Sequence, residues 1–148
     1  MKYIVRKATL SDLAKINKLE QDSFSPVWSE KLLSDAISDT TSTLFYVAVD
    51  EENMLVGFLI GMILYDEIHL AQIATQKEHR RCNLADMMIE KMFSDARELN
   101  LKLSIIEVRV SNSPAINLYK KKGYEQIAIR EKYYSDNKED ALIMQREL

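Results

Sequence analysis

The chain has 148 residues, 47% hydrophobic and 29% charged, with a formal net charge of −3. This suits a single domain over residues 1–148 that buries its own core, and it excludes a general nucleic-acid binder, which needs a basic face for phosphates. A lone cysteine, Cys82, excludes an internal disulfide, the histidines at 69 and 79 form no metal-ligand pattern, and no apolar run is long enough to span a bilayer, so a soluble cytoplasmic protein without metal or membrane is expected.

Residues 3–7 alternate enough for a first strand, and Thr9 followed by Asp12 resembles a capping box opening a helix with Leu13, Ile16 and Leu19 on one face. A second helix follows Ser29, with Leu32, Leu33, Ala36 and Ile37 turned inward. Between them lies FSPVW, whose Phe24, Pro26 and Trp28 are costly to leave in water and therefore cover the core or wall a cleft. Residues 44–49 and 54–64 read as an antiparallel hairpin around a turn at 50–53, with Gly57 and Gly61 marking a bend or a close backbone approach. In the next strand, 67–75, Glu67, His69, Ala71 and Ile73 share one face and Ile68, Leu70, Gln72 and Ala74 the other. Glu67 is a secondary site candidate or a solvated strand start; His69 reads as an exposed or hydrogen-bonded strand residue.

Ala85, Met88, Ile89, Met92, Phe93 and Ala96 recur at three and four, which predicts an amphipathic helix starting near residue 83 or 84. Lys77, His79, Arg80 and Arg81 precede it. A basic loop entering a helix N-terminus is a physical anion site, because free N–H groups and the helix dipole point the same way; the alternative is a solvated charge run. Cys82 has no evident base or resolving partner nearby.

The stretch 103–119, LSIIEVRVSNSPAINLY, opens as a buried strand, 103–110, with Glu107 in its middle. It continues as a short helix with Ser113 as N-cap, Pro114 at the first position, lysines at 120–122 in the last turn and Gly123 as the stop. Packed together, strand and helix bring a carboxylate and the Tyr119 phenol to one site, able to take one proton and give another. A phenol of ordinary pKa ~10 suits a basic leaving group such as a thiolate. Alternatively, Glu107 pairs with Arg109 on the same strand face and Tyr119 is a core aromatic. Residues 124–134 and 140–147 read as two strands joined through 135–138.

This order of elements resembles the GNAT N-acetyltransferase fold, an α/β (α+β) domain whose mixed, mostly antiparallel sheet of about seven strands is splayed at a bulge and flanked by four helices. Arg80 to Ala85, RRCNLA, resembles the family's pyrophosphate loop Q/R-x-x-G-x-G/A, with Asn83 in place of the first glycine. Asn is the next most tolerant residue for a left-handed backbone, so the loop shape survives while its side chain crowds the ligand. FSPVWSE, DEIHLAQIAT, EVRVSN with Ala115, Leu118, Tyr119, Gly123 and Tyr124, and Arg130, Tyr133, Tyr134, Asp140, Ala141 and Met144 are similar to the RimI type, which acetylates the N-terminal alanine of a small-subunit ribosomal protein.

The resemblance implies acetyl-CoA as co-substrate, the N-terminal peptide of a protein, ribosomal in the first instance, as acceptor, Glu107 as general base and Tyr119 as general acid. It further implies backbone contacts to the pantetheine arm from Ile73, Ala74 and Thr75, and pyrophosphate binding by Arg80, Arg81, Cys82, Asn83, Leu84 and Ala85. Asn112 and Tyr119 would touch the coenzyme, while Phe24, Trp28, Glu67, Tyr133 and Tyr134 would line the peptide site. Within the same family, a lysine side chain or a small amine is the alternative acceptor; a non-catalytic coenzyme A-binding module is the alternative of a different class.

Overall fold

The structure, a computed structural model, describes residues 2–148. In chain order the elements are β1 (Ile4–Lys7), α1 (Leu13–Ser23), α2 (Glu30–Ser38), β2 (Thr43–Val49), β3 (Leu55–Leu64), β4 (Glu67–Thr75), α3 (Leu84–Glu98), β5 (Leu103–Arg109), α4 (Ser113–Lys121), β6 (Glu125–Arg130) and β7 (Ala141–Glu147). Their strands make one seven-stranded sheet in the order β1-β2-β3-β4-β5-β7-β6. Helices cover both faces, which is why β2 is buried along its whole length instead of alternating. Leu44, Tyr46 and Ala48 face a core built with α3, whereas Phe45, Val47 and Val49 face a second core built with α1 and α2.

Local chemistry sets the element ends. The Thr9 N–H donates to the Asp12 carboxylate at 2.8 Å, and Arg6 grips that carboxylate at 2.8 and 2.9 Å, holding it below the usual carboxylate range. The Ser29 hydroxyl caps α2 by accepting from the Leu32 N–H at 3.1 Å. Leu32 itself is 53% exposed, so only Leu33, Ala36 and Ile37 of the expected stripe point inward. At α4 the cap is Asn112, accepting from Ala115 N–H at 3.2 Å; Ser113 is already helical. Residues 131–140 form a loop where a longer hairpin was expected, because Lys132 and Lys138 take positive φ values of 51° and 61° that break the extended chain.

Two irregularities in β3 and β4 open the sheet. Gly61 stands where an added Cβ would meet the Ile68 side chain at 2.9 Å, next to a register shift in which Ile60 pairs with Gln72 and Gly61 with Leu70. Ala71 is therefore the extra residue of a bulge on β4. The bulge reverses the faces expected from simple alternation. Ile68, Leu70 and Ile73 pack on the α3 side, while Ala74 joins the α1/α2 core and Gln72 reaches Glu20 of α1. Pairing between β4 and β5, the one parallel pair among the described strands, runs only from Glu67↔Leu103 to Leu70↔Ile106. Beyond that point β5 continues along β7 to Arg109↔Ala141, and β4 goes its own way with β3.

Candidate active site

Where β4 and β5 part, the sheet leaves a cavity of about 420 Å³. Residues 70–73 of β4 and 106–109 of β5 form its base, residues 23–26 and Trp28 of the α1–α2 connection one wall, and Asn112, Tyr119 and Tyr134 another. Past Leu70 the β5-facing edge of β4 has no strand partner, so its backbone groups are open to a ligand. Ile73 lines this cavity, Ala74 turns its side chain into the α1/α2 core and offers only its backbone, and Thr75 lines the next cavity along.

Glu107 and Tyr119 both line the 420 Å³ cavity. Tyr119 is 5% exposed and its hydroxyl makes no hydrogen bond among the described residues. Burial first, then the neighbouring Tyr124 and Tyr134, pushes this phenol far above its ordinary value, so it keeps its proton at any working pH. The alternative in which Glu107 pairs with Arg109 does not hold. Arg109 instead reaches Asp136 at 2.9 and 3.1 Å and stacks 3.9 Å over the Tyr134 ring, pinning the 131–140 loop across β5. The cation nearest Glu107 is Arg130 at 3.9 Å, itself largely in water and thus well screened. On the other side the Glu107 carboxylate raises the pKa of the Tyr133 phenol.

A second cavity of about 330 Å³ shares Glu107 and Tyr134 with the first and adds His69, Ile105 and Tyr133. Glu107 thus stands between the two. Glu67 lines neither cavity; its carboxylate is bonded to the His69 imidazole at 3.0 Å and touches the region only through it. Phe24 and Trp28 wall the first cavity, as their placement in FSPVW suggested.

At the other end, Asn83 adopts the left-handed conformation with φ 62° and ψ 19°, and Arg81 does so with φ 64°. Asn83 supplies the backbone shape that glycine would give. Its side chain caps nothing, so the first N–H groups of α3 are left free at a cavity of about 280 Å³. Thr75, Arg80, Arg81, Asn83, Leu84 and Ala85 line that cavity, together with Pro114 and Lys121 of α4. Three cationic side chains beside a helix N-terminus fit a diphosphate. Asp86, in the first turn of α3, would oppose such a ligand, but Lys122, the C-cap of α4, bonds it at 3.1 Å and also pairs with Glu90. Cys82 lies outside the lining, with its thiol turned to the Arg80 carbonyl at 3.7 Å.

Sequence reasoning missed Lys121 and Gln72 in the cavity linings and Arg130 beside Glu107. The basic last turn of α4 was legible, but not which of its lysines reaches the loop.

Residues 13–124 match the acetyltransferase (GNAT) family. This chain belongs to that family. The acetyltransferase is 32% identical over 143 residues to a Bacillus subtilis (strain 168) protein provisionally assigned as a ribosomal protein bS18-alanine N-acetyltransferase, covering 97% of this chain and 94% of that one. It is 29% identical to the ribosomal protein bS18-alanine N-acetyltransferase of Escherichia coli (strain K12), covering 90% of each chain. The crystal structure of the ribosomal-protein-S18-alanine N-acetyltransferase from Escherichia coli aligns with a TM-score of 0.88 at 26% identity, covering 99% of this chain and 94% of that one. As a GNAT acetyltransferase, this enzyme draws its acetyl group from acetyl-CoA. Among the described residues no group of three or more His, Cys, Asp or Glu side chains could hold a metal ion.

Proposed function

We propose that this acetyltransferase modifies the N-terminal α-amine of a protein, with the N-terminal alanine of a small-subunit ribosomal protein as the first candidate, using Glu107 as base and Tyr119 as acid. One observation carries the reading: a carboxylate and a buried, proton-bearing phenol line the same cavity, at the gap between β4 and β5 and beneath an aromatic wall. The ribosomal acceptor is supported by the names of the relatives alone.

An α-amine, with a reference pKa of ~7.7–8.0, arrives largely as ammonium and must lose a proton before it can attack. Glu107 takes that proton, directly or through water. The open backbone edge of β4 holds and polarises the thioester carbonyl, and the neutral amine attacks it. Tyr119 gives its proton to the departing sulfur and is restored by the second proton that the nitrogen sheds as the tetrahedral intermediate collapses to the amide. Burial disfavours a tyrosinate, yet it disfavours the thiolate as well, so the transfer keeps its driving force as long as both groups sit in the same dry pocket. Arg80, Arg81, Lys121 and the α3 N-terminus hold the diphosphate, while Trp28, Phe24 and Tyr134 hold the peptide.

The test is to incubate the protein with acetyl-CoA and peptides that differ at residue one, with free or blocked N-termini, and to follow free thiol. Thiol release with free N-termini only, fastest for alanine, is expected. Equal release from blocked, lysine-containing peptides moves the acceptor to the side chain, and no release with any amine leaves a coenzyme-binding module.

A further inference from the structure

Glu20 is 0% exposed, and no cation pairs with it among the described residues. A carboxylate in that position is costly unless its hydrogen bonds define something. One of its oxygens, Oε2, accepts from the Trp28 N–H at 3.0 Å and from the Gln72 side-chain amide at 2.9 Å. Among the described residues the other, Oε1, has no partner, and neither has Oε1 of Gln72, which is 9% exposed. Trp28 belongs to the aromatic wall of the cleft, and Gln72 follows the bulge residue on the strand that opens it.

Phe24 and Trp28 pack against the α1/α2 core, with the Phe24 ring 6.3 Å from that of Phe58, but the backbone of the wall has little to hold it. Among the described residues, the backbone of 24–28 makes two hydrogen bonds, and both go to residue 20: Phe24 N–H to the Glu20 carbonyl at 3.1 Å, and Trp28 N–H to its side chain. The main chain of Glu20 fixes where the connection leaves α1, and its carboxylate fixes where it arrives at α2.

We propose that Glu20 is a positioning residue that ties the peptide-facing wall to the bulged strand, so that the width of the cleft is set by the reach of this side chain and not by its charge. The inference rests on the reading of this cavity as the meeting place of acetyl-CoA and peptide. The two orphan oxygens give it a sharp signature. In Glu20→Gln one oxygen still accepts from Trp28 and Gln72, and the amide nitrogen puts a donor in place of the unpaired Oε1. In Glu20→Asp the charge stays, but the carboxylate withdraws by about 1.5 Å, one C–C bond, too far to hold both partners.

The experiment compares the two variants with the native protein, each shown folded by circular dichroism. It measures kcat, peptide KM and acetyl-CoA Kd, together with the emission and acrylamide quenching of Trp28, the single tryptophan. Glu20→Asp is expected to raise peptide KM about tenfold, with acetyl-CoA Kd within about twofold, and to make Trp28 red-shifted and about twice as quenchable. Glu20→Gln is expected to match the native protein in every readout. A Gln variant as impaired as the Asp variant overturns the proposal, since charge would then matter; so does an Asp variant with native peptide KM and native quenching. If the native protein acetylates no peptide, the functional reading fails by itself. Trp28 quenching then decides the anchoring without turnover, and equal quenching in all three proteins overturns it.

Discussion

The two ends of the cleft are built by opposite means. At the α3 end the groups that line the cavity are backbone N–H groups and cationic side chains around a left-handed Asn83. At the β5 end they are side chains, Glu107, Tyr119 and Tyr134, each placed by a different element, with Tyr119 held by burial and Tyr134 by Arg109. A backbone site tolerates a change of residue as long as the chain keeps its path, whereas a side-chain site loses its chemistry with one atom. On the proposed reading, a change such as Asn83 in the loop is therefore tolerated, whereas a change at Glu107 or Tyr119 is not.

Substitutions can break this contrast, and the largest effect belongs to Glu107. Glu107→Gln should lower kcat at pH 7 by about 10³ and recover part of it as pH rises and free amine accumulates. Full activity at pH 7 reassigns the base. Next, Tyr119→Phe should lower kcat by about 10² with little change in KM for acetyl-CoA; an unchanged kcat, with chemistry shown to limit the rate, removes Tyr119 as the acid. At the backbone end, Asn83→Gly should leave folding intact and tighten acetyl-CoA binding by only about threefold, since it relieves crowding without adding a contact. Weaker binding by calorimetry would refute that account of the loop.

The smallest effect at neutral pH concerns stability. Tyr46, Tyr119 and Tyr124 all have phenols raised by burial, Tyr124 to about 12, whereas an unfolded tyrosine titrates near ~10. A raised folded-state value means that the unfolded chain releases its proton first, so this contribution is complete below pH ~10 and falls away as pH climbs toward ~12. Urea midpoints should therefore drop over that window. Absorbance at 295 nm should show three of the seven tyrosines ionising only as the fold opens. Early, non-cooperative ionisation of all seven would mean that the chemistry end is wetter than its burial implies.

Most elements were legible because they rest on local signals: the Ser29 cap, the three-four repeat along α3, and the strand-to-helix switch between Glu107 and Tyr119. What escaped depends on partners distant in sequence. The sequence offers Glu107, two residues away, as one possible partner for Arg109, but its acceptor, Asp136, lies 27 residues on in a loop that the β-forming Tyr133 and Tyr134 disguise as strand. The resemblance implies a bulge, but strict alternation does not place it at Ala71, where it decides that Gln72 meets Glu20 and that Ile73 turns to the α3 side. Glu20 itself looked like one more charge on an amphipathic helix.

Lys122 ties α4 to α3 through Asp86 and Glu90, joining the helix that carries Tyr119 to the helix whose first turn lines the basic cavity. On the proposed reading that joined pair is a caliper: it fixes the span between the anchored nucleotide end of the donor and the proton waiting at its sulfur. An acyl group longer than acetyl then has no slack to take up along the coenzyme, and its extra carbons have to push toward Trp28 and the incoming amine.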